Sequence, residues 1–195
     1  EQGARIVHRI AGDDGRRYVL GNSAGYGSAA TLKDMTTRQR AGKQFMSLTK
    51  GESLLKPLAL RDADEYLAML SKKGRMLAVA LAEIKSLSGG GRGTILMGLD
   101  SADIVAQWVV FGPAGLAASG VYRNKETLLV LDASELAEYV GKRARKGKLL
   151  SIKVKQPTLL AAPEAGKPAC LPKWQCLALH TWNESIRLIL NYLIV

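Results

Sequence analysis

The sequence has few residues that could build a disulfide framework or a metal site. Its 195 residues include two cysteines and two histidines. Cys170 and Cys176 both lie near the end of the chain, whereas His8 and His180 are far apart. Zinc sites need close Cys or His pairs, and disulfide-stapled domains are rich in cysteine. We therefore expect no metal, no cofactor and a reducing, cytoplasmic setting.

Long apolar runs and acidic residues are also scarce. The longest apolar stretch, 186–195, is interrupted by Arg187 and Asn191, so it falls short of the ~18 residues that a membrane span needs. No basic-then-apolar leader begins the sequence, and we expect no membrane segment. Lys and Arg number 28 against 17 Asp and Glu, a net charge of +11. This excess predicts a polyanionic partner, and by charge alone nucleic acid and an anionic membrane surface both qualify.

What the sequence does contain is a basic, glycine-bearing segment that occurs three times. We name these the first, second and third basic segments; they are Arg38–Gln44, Gly89–Gly93 and Lys142–Lys148. Each is followed by a short apolar run. The glycines at positions 42, 93 and 147 stand 51 and 54 residues apart. A period of this size is typical of propellers and similar arrays of repeats.

A second set of landmarks recurs at an offset of 49 residues. It relates Gly25 to Gly74, Leu32 to Leu81, and the acidic residues at 34 and 83. Short apolar runs between turn signals predict an all-β fold. The predicted strands cover 4–10, 18–23, 28–32, 44–48, 54–60, 66–70, 76–81, 104–111, 120–122, 127–131, 149–154 and 158–160. Residues 65–87 and 128–140 are helical by propensity alone, but propensity is a weak guide beside the repeat register.

The repeats divide the chain into a domain and a tail. We expect one domain over 1–162, with repeats at approximately 4–60, 61–111 and 112–162. The tail, 163–195, begins in a proline-rich stretch and matches no repeat landmark, so we predict that it is irregular or partly helical. An incomplete ring of repeats leaves strand edges exposed. We therefore expect self-association through those edges, or a strand borrowed to cover them.

The first forty residues resemble a known family. The run Tyr18–Gly27 and the residues Arg38–Lys43 resemble the C-terminal domain of the A subunit of DNA topoisomerase IV. Lys73–Leu77 and the loop 141–147 fit the same pattern, and the similarity covers roughly residues 3–160. The first basic segment is a degenerate form of the glycine-rich basic box found in the sister family, the gyrase A subunit.

This resemblance implies a partial β-pinwheel of about three four-stranded blades, a propeller-like repeat fold. In the family, the basic outer rim binds duplex DNA through its phosphates without sequence specificity, helping to select the transported segment during decatenation and supercoil relaxation. The catalytic domain precedes this region, so we expect a non-catalytic chain. Its implied partners are the ATPase B subunit, together with the rest of the bacterial A subunit, near the nucleoid. The tail departs from the family's charged ending, which leaves an extension or translation past a frameshift or truncation as alternatives.

The candidate DNA-binding residues are the cations of the three basic segments. Residues 142–155 carry seven cations and no acid. Recurrence at equivalent places predicts a row of positive charge that can follow a polyphosphate backbone. The predicted phosphate-contacting residues are Arg38, Arg40, Lys43, Arg92, Lys142, Arg143, Arg145, Lys146 and Lys148. We predict no catalytic residue.

Two alternative interpretations accompany this hypothesis. A propeller could use the same basic rim to dock an acidic protein partner. Separately, Gly25–Ala30 matches the glycine spacing of a dinucleotide-binding turn, but the following sequence is poor for a helix, so we predict a hairpin turn. Tyr26, Tyr66 and Trp108 are expected to be core or strand-face aromatics, with Tyr26 the best candidate for a base-stacking platform.

Overall fold

The computed structural model describes residues 6–123, 125–131, 133–151 and 155–161. Within these ranges the chain forms eleven β-strands, two short α-helices and one 3₁₀ turn, Leu81–Glu83. The helices are α1 (Leu32–Met35) and α2 (Ala133–Ala137). The strands are β1 (Arg17–Gly21), β2 (Tyr26–Thr31), β3 (Leu58–Ala59), β4 (Tyr66–Ser71), β5 (Arg75–Ala80), β6 (Thr94–Ile95), β7 (Val105–Phe111), β8 (Leu116–Tyr122), β9 (Lys125–Leu131), β10 (Lys148–Leu149) and β11 (Lys155–Ala161).

These strands form three antiparallel sheets that follow one another along the chain. The first sheet has the order β3-β1-β2-β6, the second β10-β5-β4-β7, and the third β11-β8-β9. Each sheet is built around a hairpin, so the all-β prediction is confirmed. None of the helices in the described part of the chain is long and apolar enough to cross a membrane.

The 49-residue offset appears in the structure as two equivalent hairpin turns. Gly25 and Gly74 have φ angles of +83° and +82°, a conformation that glycine adopts without steric cost. The residue three places earlier is polar and buried in both turns, Asn22 in one and Ser71 in the other. Each accepts a hydrogen bond from the backbone N–H four residues on, at 3.0 and 3.3 Å. The recurrence in the sequence is therefore a repeated turn geometry, and residues 25–30 form a hairpin.

The fourth strand of a sheet comes from the next repeat. Strand β6 follows the second basic segment, yet it pairs with β2 of the first sheet through Gly27 and Thr94. Strand β10 begins at the last residue of the third basic segment and pairs with β5 of the second sheet through Met76 and Lys148. Consecutive repeats are therefore interlocked by backbone hydrogen bonds.

Apolar side chains fill the spaces between neighbouring sheets. Val19 of the first sheet packs in one core with Leu67 and Met69 of the second. The opposite face of the second sheet packs against the third. Trp108 crosses between the first two sheets: its indole N–H donates to the Lys56 carbonyl at 2.8 Å. Such buried apolar contacts contribute about 1.5–3 kcal/mol per large side chain.

Some predicted strands are shorter or absent. Residues 6–10 form no strand apart from a single bridged position at Arg9. The run 44–48 is reduced to one bridge between Met46 and Gly91. Within 128–140, the residues Ala133–Ala137 form the short helix α2, because the chain makes one helical turn between β9 and the third basic segment. The predicted tail, 163–195, and the end of the predicted strand 149–154 lie outside the described residues.

Two of the three glycines that marked the period, Gly93 and Gly147, lie against the backbone of the preceding hairpin. A Cβ atom added at Gly93 would lie 2.5 Å from the carbonyl oxygen of Gly27. At Gly147 it would lie 2.4 Å from the carbonyl oxygen of Met76, the equivalent position. Both glycines have positive φ angles, +84° and +73°. Only glycine allows the chain to approach this closely and in this conformation.

We predict that Gly147→Ala destabilises the fold far more than Gly42→Ala. Gly42 also has a positive φ, +77°, but a Cβ there would meet nothing within 4 Å. Gly42→Ala should therefore cost about 1–2 kcal/mol from backbone strain alone. Gly147→Ala adds a backbone clash, and we expect a loss of about 3 kcal/mol or more. At about 2–4 °C per kcal/mol for this chain length, thermal unfolding separates the two variants, and equal melting temperatures would contradict the close approach.

Candidate nucleic-acid interface

The second and third basic segments begin at equivalent places on the fold. The chain entering the second segment makes a parallel bridge from Ser86 to Ala29 in β2. The chain entering the third makes the same bridge from Val140 to Ala78 in β5. Both segments therefore lie beside the second strand of the preceding hairpin, on the same side of their sheets.

The second and third basic segments are each also hydrogen-bonded to the chain that follows the preceding segment. The Gly91 N–H donates to the Phe45 carbonyl at 2.9 Å, which joins the second segment to the run after the first. The Ala144 N–H donates to the Leu96 carbonyl at 2.9 Å, which joins the third segment to the run after the second. A second hydrogen bond accompanies each, between Ser47 N–H and the Gly91 carbonyl and between Gly98 N–H and the Arg145 carbonyl. Backbone contacts thus hold the second and third segments beside the apolar runs that follow the first and second.

Five of the nine predicted residues have exposed side chains that no described residue engages. No hydrogen bond or ion pair joins any of these side chains to another residue of the described ranges. These basic side chains extend into solvent from the first and third segments. These residues are Arg38, Arg40, Lys142, Arg145 and Lys148.

Three other predicted residues are held by neighbouring groups. The Lys43 ammonium donates to the Asp34 carbonyl at 2.8 Å and lies 5.3 Å from the centre of the Phe45 ring. The Arg92 guanidinium pairs with Glu52. The Lys146 ammonium pairs with Asp100. The ninth, Arg143, has a half-buried side chain, and its backbone N–H donates to the carboxylate of Glu83 at 3.1 Å.

The Arg92 position is fixed from two sides. Its guanidinium carbon lies 4.1 Å from the centre of the Tyr26 ring, within the range of a cation–π contact. Its partner Glu52 also accepts hydrogen bonds from the Asn22 side chain at 2.8 Å and from the Thr49 N–H at 2.9 Å. The Tyr26 ring is covered on that face by Arg92, which leaves it poorly placed to stack on a base.

A second ionic cluster surrounds Asp100. The Lys146 ammonium donates a hydrogen bond to its carboxylate, and the Arg75 Nε lies 3.9 Å away. That hydrogen bond and the attraction of Lys146, followed by the charges of Arg75 and Lys73, hold the pKa of Asp100 below its usual value. The pKa of Asp34 is also lowered, because the hydroxyl and N–H groups of Thr31 donate to its carboxylate.

Sequence reasoning missed the two acids that pair with the predicted cations. Glu52 lies 40 residues before Arg92, and Asp100 lies 46 residues before Lys146. No local pattern joins residues so far apart; only the interlocking of repeats brings them together. Within the described ranges, no three His, Cys, Asp or Glu side chains cluster closely enough to hold a metal ion.

Among known proteins, the chain resembles the A subunits of DNA topoisomerase 4 from several bacteria. No protein-family model matches the chain. It is 29% identical over 154 residues to the A subunit of DNA topoisomerase 4 from Escherichia coli strain K12 and 30% identical over 156 residues to that of Salmonella typhimurium. It is 27% identical over 152 residues to the Pseudomonas aeruginosa protein. In each case the match covers 76% of this chain and 20% of the relative.

The chain is homologous to the DNA topoisomerase 4 A subunit over about 76% of its length. It spans about a fifth of the length of these topoisomerase relatives. Among solved structures, the C-terminal domain of E. coli ParC superposes with a TM-score of 0.66 and 25% identity, covering 78% of this chain and 63% of that domain. The prediction of the family from the sequence is therefore confirmed.

Two further solved structures share the fold. The C-terminal domain of DNA topoisomerase IV gives a TM-score of 0.62 at 13% identity, covering 78% of this chain and 49% of that one. The DNA gyrase A C-terminal domain gives 0.62 at 16% identity, covering 84% and 56%. The partial β-pinwheel expected from the resemblance is confirmed, with four strands in each of the first two sheets and three described strands in the last.

We predict that Lys146→Met raises the pKa of Asp100 toward the ordinary aspartate value, as measured by NMR titration of the carboxyl group. The matched variant Lys142→Met removes an exposed cation that has no contact with Asp100 and should leave this pKa unchanged. Since the folded pKa lies below the unfolded one, the ion pair stabilises the fold above the unfolded pKa. That stabilisation is lost as the pH falls through the folded pKa. Equal titration curves in all three proteins would contradict the Lys146–Asp100 pair.

Proposed function

We propose that this chain binds duplex DNA through its phosphate backbone, as a non-catalytic part of a topoisomerase IV-type A subunit. The observation that carries the proposal is that backbone hydrogen bonds join the second and third basic segments to the apolar runs that follow the first and second. Five unengaged cations project from this row. The homology to the DNA topoisomerase 4 A subunit supports the same reading.

Binding of this kind is electrostatic. Cations that neutralise phosphates release condensed counterions, and this release drives association without reading the sequence. The helices within the described ranges have four and five residues, too short to present a reading face in the major groove. We therefore assign binding without sequence specificity, with contacts to phosphate that position the duplex.

The nine predicted residues take different parts in this proposal. The five unengaged cations make the direct phosphate contacts. Lys43, Arg92 and Lys146 already have protein partners, and they reach phosphate only by exchanging those partners for it. Arg143 contributes charge from a half-buried position beside Glu83. The cations without a protein partner therefore lie in the first and third segments, at the two ends of the proposed row. At its centre, Arg92 is held by Glu52 and Tyr26.

The proposed role in the parent protein is to hold and bend the transported duplex during decatenation and supercoil relaxation. Bending a site of 20–30 base pairs costs on the order of 1–6 kcal/mol, so several phosphate contacts must act together. A row that crosses three sheets provides such contacts. In this proposal the ATPase B subunit hydrolyses ATP, the rest of the A subunit cleaves DNA, and both work in the nucleoid of a bacterial cell.

We predict that the variant Arg38→Gln, Arg40→Gln, Arg145→Gln, Lys148→Gln loses most of its DNA affinity. Each phosphate contact contributes about −0.9 to the slope of log K against log salt. Five contacts give a slope of about −4.5, and the variant, with one remaining, should give about −1. Fluorescence anisotropy on a random-sequence duplex between about 50 and 200 mM salt measures both quantities.

The matched control is Lys56→Gln. Lys56 is also an exposed lysine, but it lies just before β3, at the opposite edge of the first sheet from β6. This variant should bind like the unmodified chain. Equal losses in the control and in the fourfold variant would contradict the proposed row. Absence of DNA binding even at low salt would instead favour a rim that docks an acidic protein.

A further inference from the structure

Asp100 lies close to three cations, of which only Lys146 belongs to a basic segment. The Lys146 ammonium donates to its carboxylate, and the Arg75 Nε lies 3.9 Å from it. The Lys73 ammonium donates to the carbonyl of the next residue, Ser101, at 2.9 Å. Lys73 and Arg75 come from the turn between β4 and β5. One exposed carboxylate therefore faces three positive charges, and the cluster keeps a positive excess.

The backbone holds this turn and the third segment in place independently of the Asp100 side chain. The Lys73 N–H donates to the carboxylate of Asp103 at 3.1 Å, and the Arg75 guanidinium donates to the Gly147 carbonyl at 3.3 Å. Asp103 is buried, and its hydrogen bonds go to backbone N–H groups. With both acids counted, three cations still exceed two carboxylates. The cations therefore stay close together whether or not Asp100 carries its charge.

The equivalent turn of the first sheet has no such cations. The 49-residue offset relates Lys73 and Arg75 to Ala24 and Tyr26, which are uncharged. Both turns nevertheless have the same glycine conformation, with φ angles of +83° and +82°. Because the turn forms with and without these cations, its geometry does not require them. The charges at the second turn therefore favour a role in binding.

The other acid that holds a cation of the basic segments is bound more tightly. The Glu52 side chain is 11% exposed, and two further donors hold it besides Arg92. Removing Arg92 would leave a largely buried carboxylate without its charged partner, which is costly. The Asp100 side chain is 34% exposed and that of Lys146 61%, and pairs this exposed contribute little stability. An incoming anion can therefore displace Asp100 far more readily than Glu52.

The chemistry of the cluster suits a phosphate group. A hydrogen bond joins one oxygen of the Asp100 carboxylate to Lys146. The other oxygen lies 3.9 Å from the Arg75 Nε, beyond hydrogen-bond range. A phosphate group presents oxygens in several directions, and guanidinium and ammonium groups both bind it through charge-assisted hydrogen bonds. It can therefore engage cations that the carboxylate leaves without a direct hydrogen bond.

We propose that Lys73, Arg75 and Lys146 form a phosphate-binding site that the Asp100 carboxylate occupies in the unbound chain. The phosphate must displace this carboxylate, so Asp100 competes with it and weakens its binding. The inference rests on the proposed function where that phosphate belongs to duplex DNA. In that case it adds Lys73 and Arg75 to the residues that the duplex reaches at the third-segment end of the row.

Titration with inorganic phosphate, followed by NMR at the backbone amides of residues 73, 75 and 146, tests the site directly. Sodium chloride at equal ionic strength serves as the reference. Asp100→Asn removes the competing charge and keeps the shape of the side chain, so the dissociation constant for phosphate should fall by about fivefold or more. The matched variant Asp62→Asn changes the net charge equally at an exposed position before β4, and it should shift this constant by less than about twofold.

Two further measurements identify the residues and the source of the phosphate. The double variant Asp100→Asn, Lys146→Met should lose the gain, while the signals of residues 26–31 stay unchanged in every variant because the fold is intact. On a random-sequence duplex, Asp100→Asn should steepen the slope of log K against log salt by about 0.9 for each released cation, or about 1.8 for Lys146 and Arg75. A gain for inorganic phosphate without a gain for the duplex would assign the site to a free phosphate.

Three results would overturn the proposal. One is equal phosphate affinity in the unmodified chain and in Asp100→Asn. Another is an equal gain in Asp62→Asn, because the effect would then come from net charge alone. The third is a gain that persists when Lys146 is also replaced. If the unmodified chain fails to bind duplex at low salt while Asp100→Asn still binds phosphate more tightly, the proposed function is contradicted and this site stands.

Discussion

Backbone hydrogen bonds that join one repeat to the next hold together both the fold and the candidate site. The chain after each of the last two basic segments completes the sheet of the preceding hairpin, as β6 and β10. The second and third basic segments are positioned by this exchange, since each follows a bridge to the preceding hairpin and leads into the strand that completes the sheet of that hairpin. The position of the cations therefore follows from backbone geometry. Gly93 and Gly147 permit the approach, because a side chain at either position would meet a carbonyl oxygen.

Some of the basic side chains on this molecule are paired with acids, whereas others have no partner among the described residues. The net charge of +11 opposes compaction, yet two cations of the basic segments are held by acids from other parts of the chain. Glu52 holds Arg92 and Asp100 holds Lys146, and both pairs connect loops that belong to different repeats. Exposed pairs of this kind add little stability on their own. They order the loops, and they leave the unpaired cations of the basic segments available to bind a polyanion.

The sequence predicted the repeat because local physics sets its landmarks. Gly25 and Gly74 are needed for the same turn, and Gly93 and Gly147 for the same close approach, so their spacing records the architecture. The strands of the three hairpins were predicted for the same reason, since apolar alternation and turn residues are local signals. The exchange of β6 and β10 between repeats could not be predicted, because two-residue strands carry no periodicity. The partners of Arg92 and Lys146 were missed since they depend on that exchange.

The central claim is that the three basic segments form one row that a single duplex can follow. Photo-cross-linking tests it most directly, with a photoreactive residue placed at Gln39, Ser88 or Leu149 in turn and a control at Lys56. The claim predicts cross-links from the first three positions to the same duplex, at sites that progress along it in the order 39, 88, 149. Cross-links from only one of these segments, or equally strong cross-links from Lys56, would contradict it.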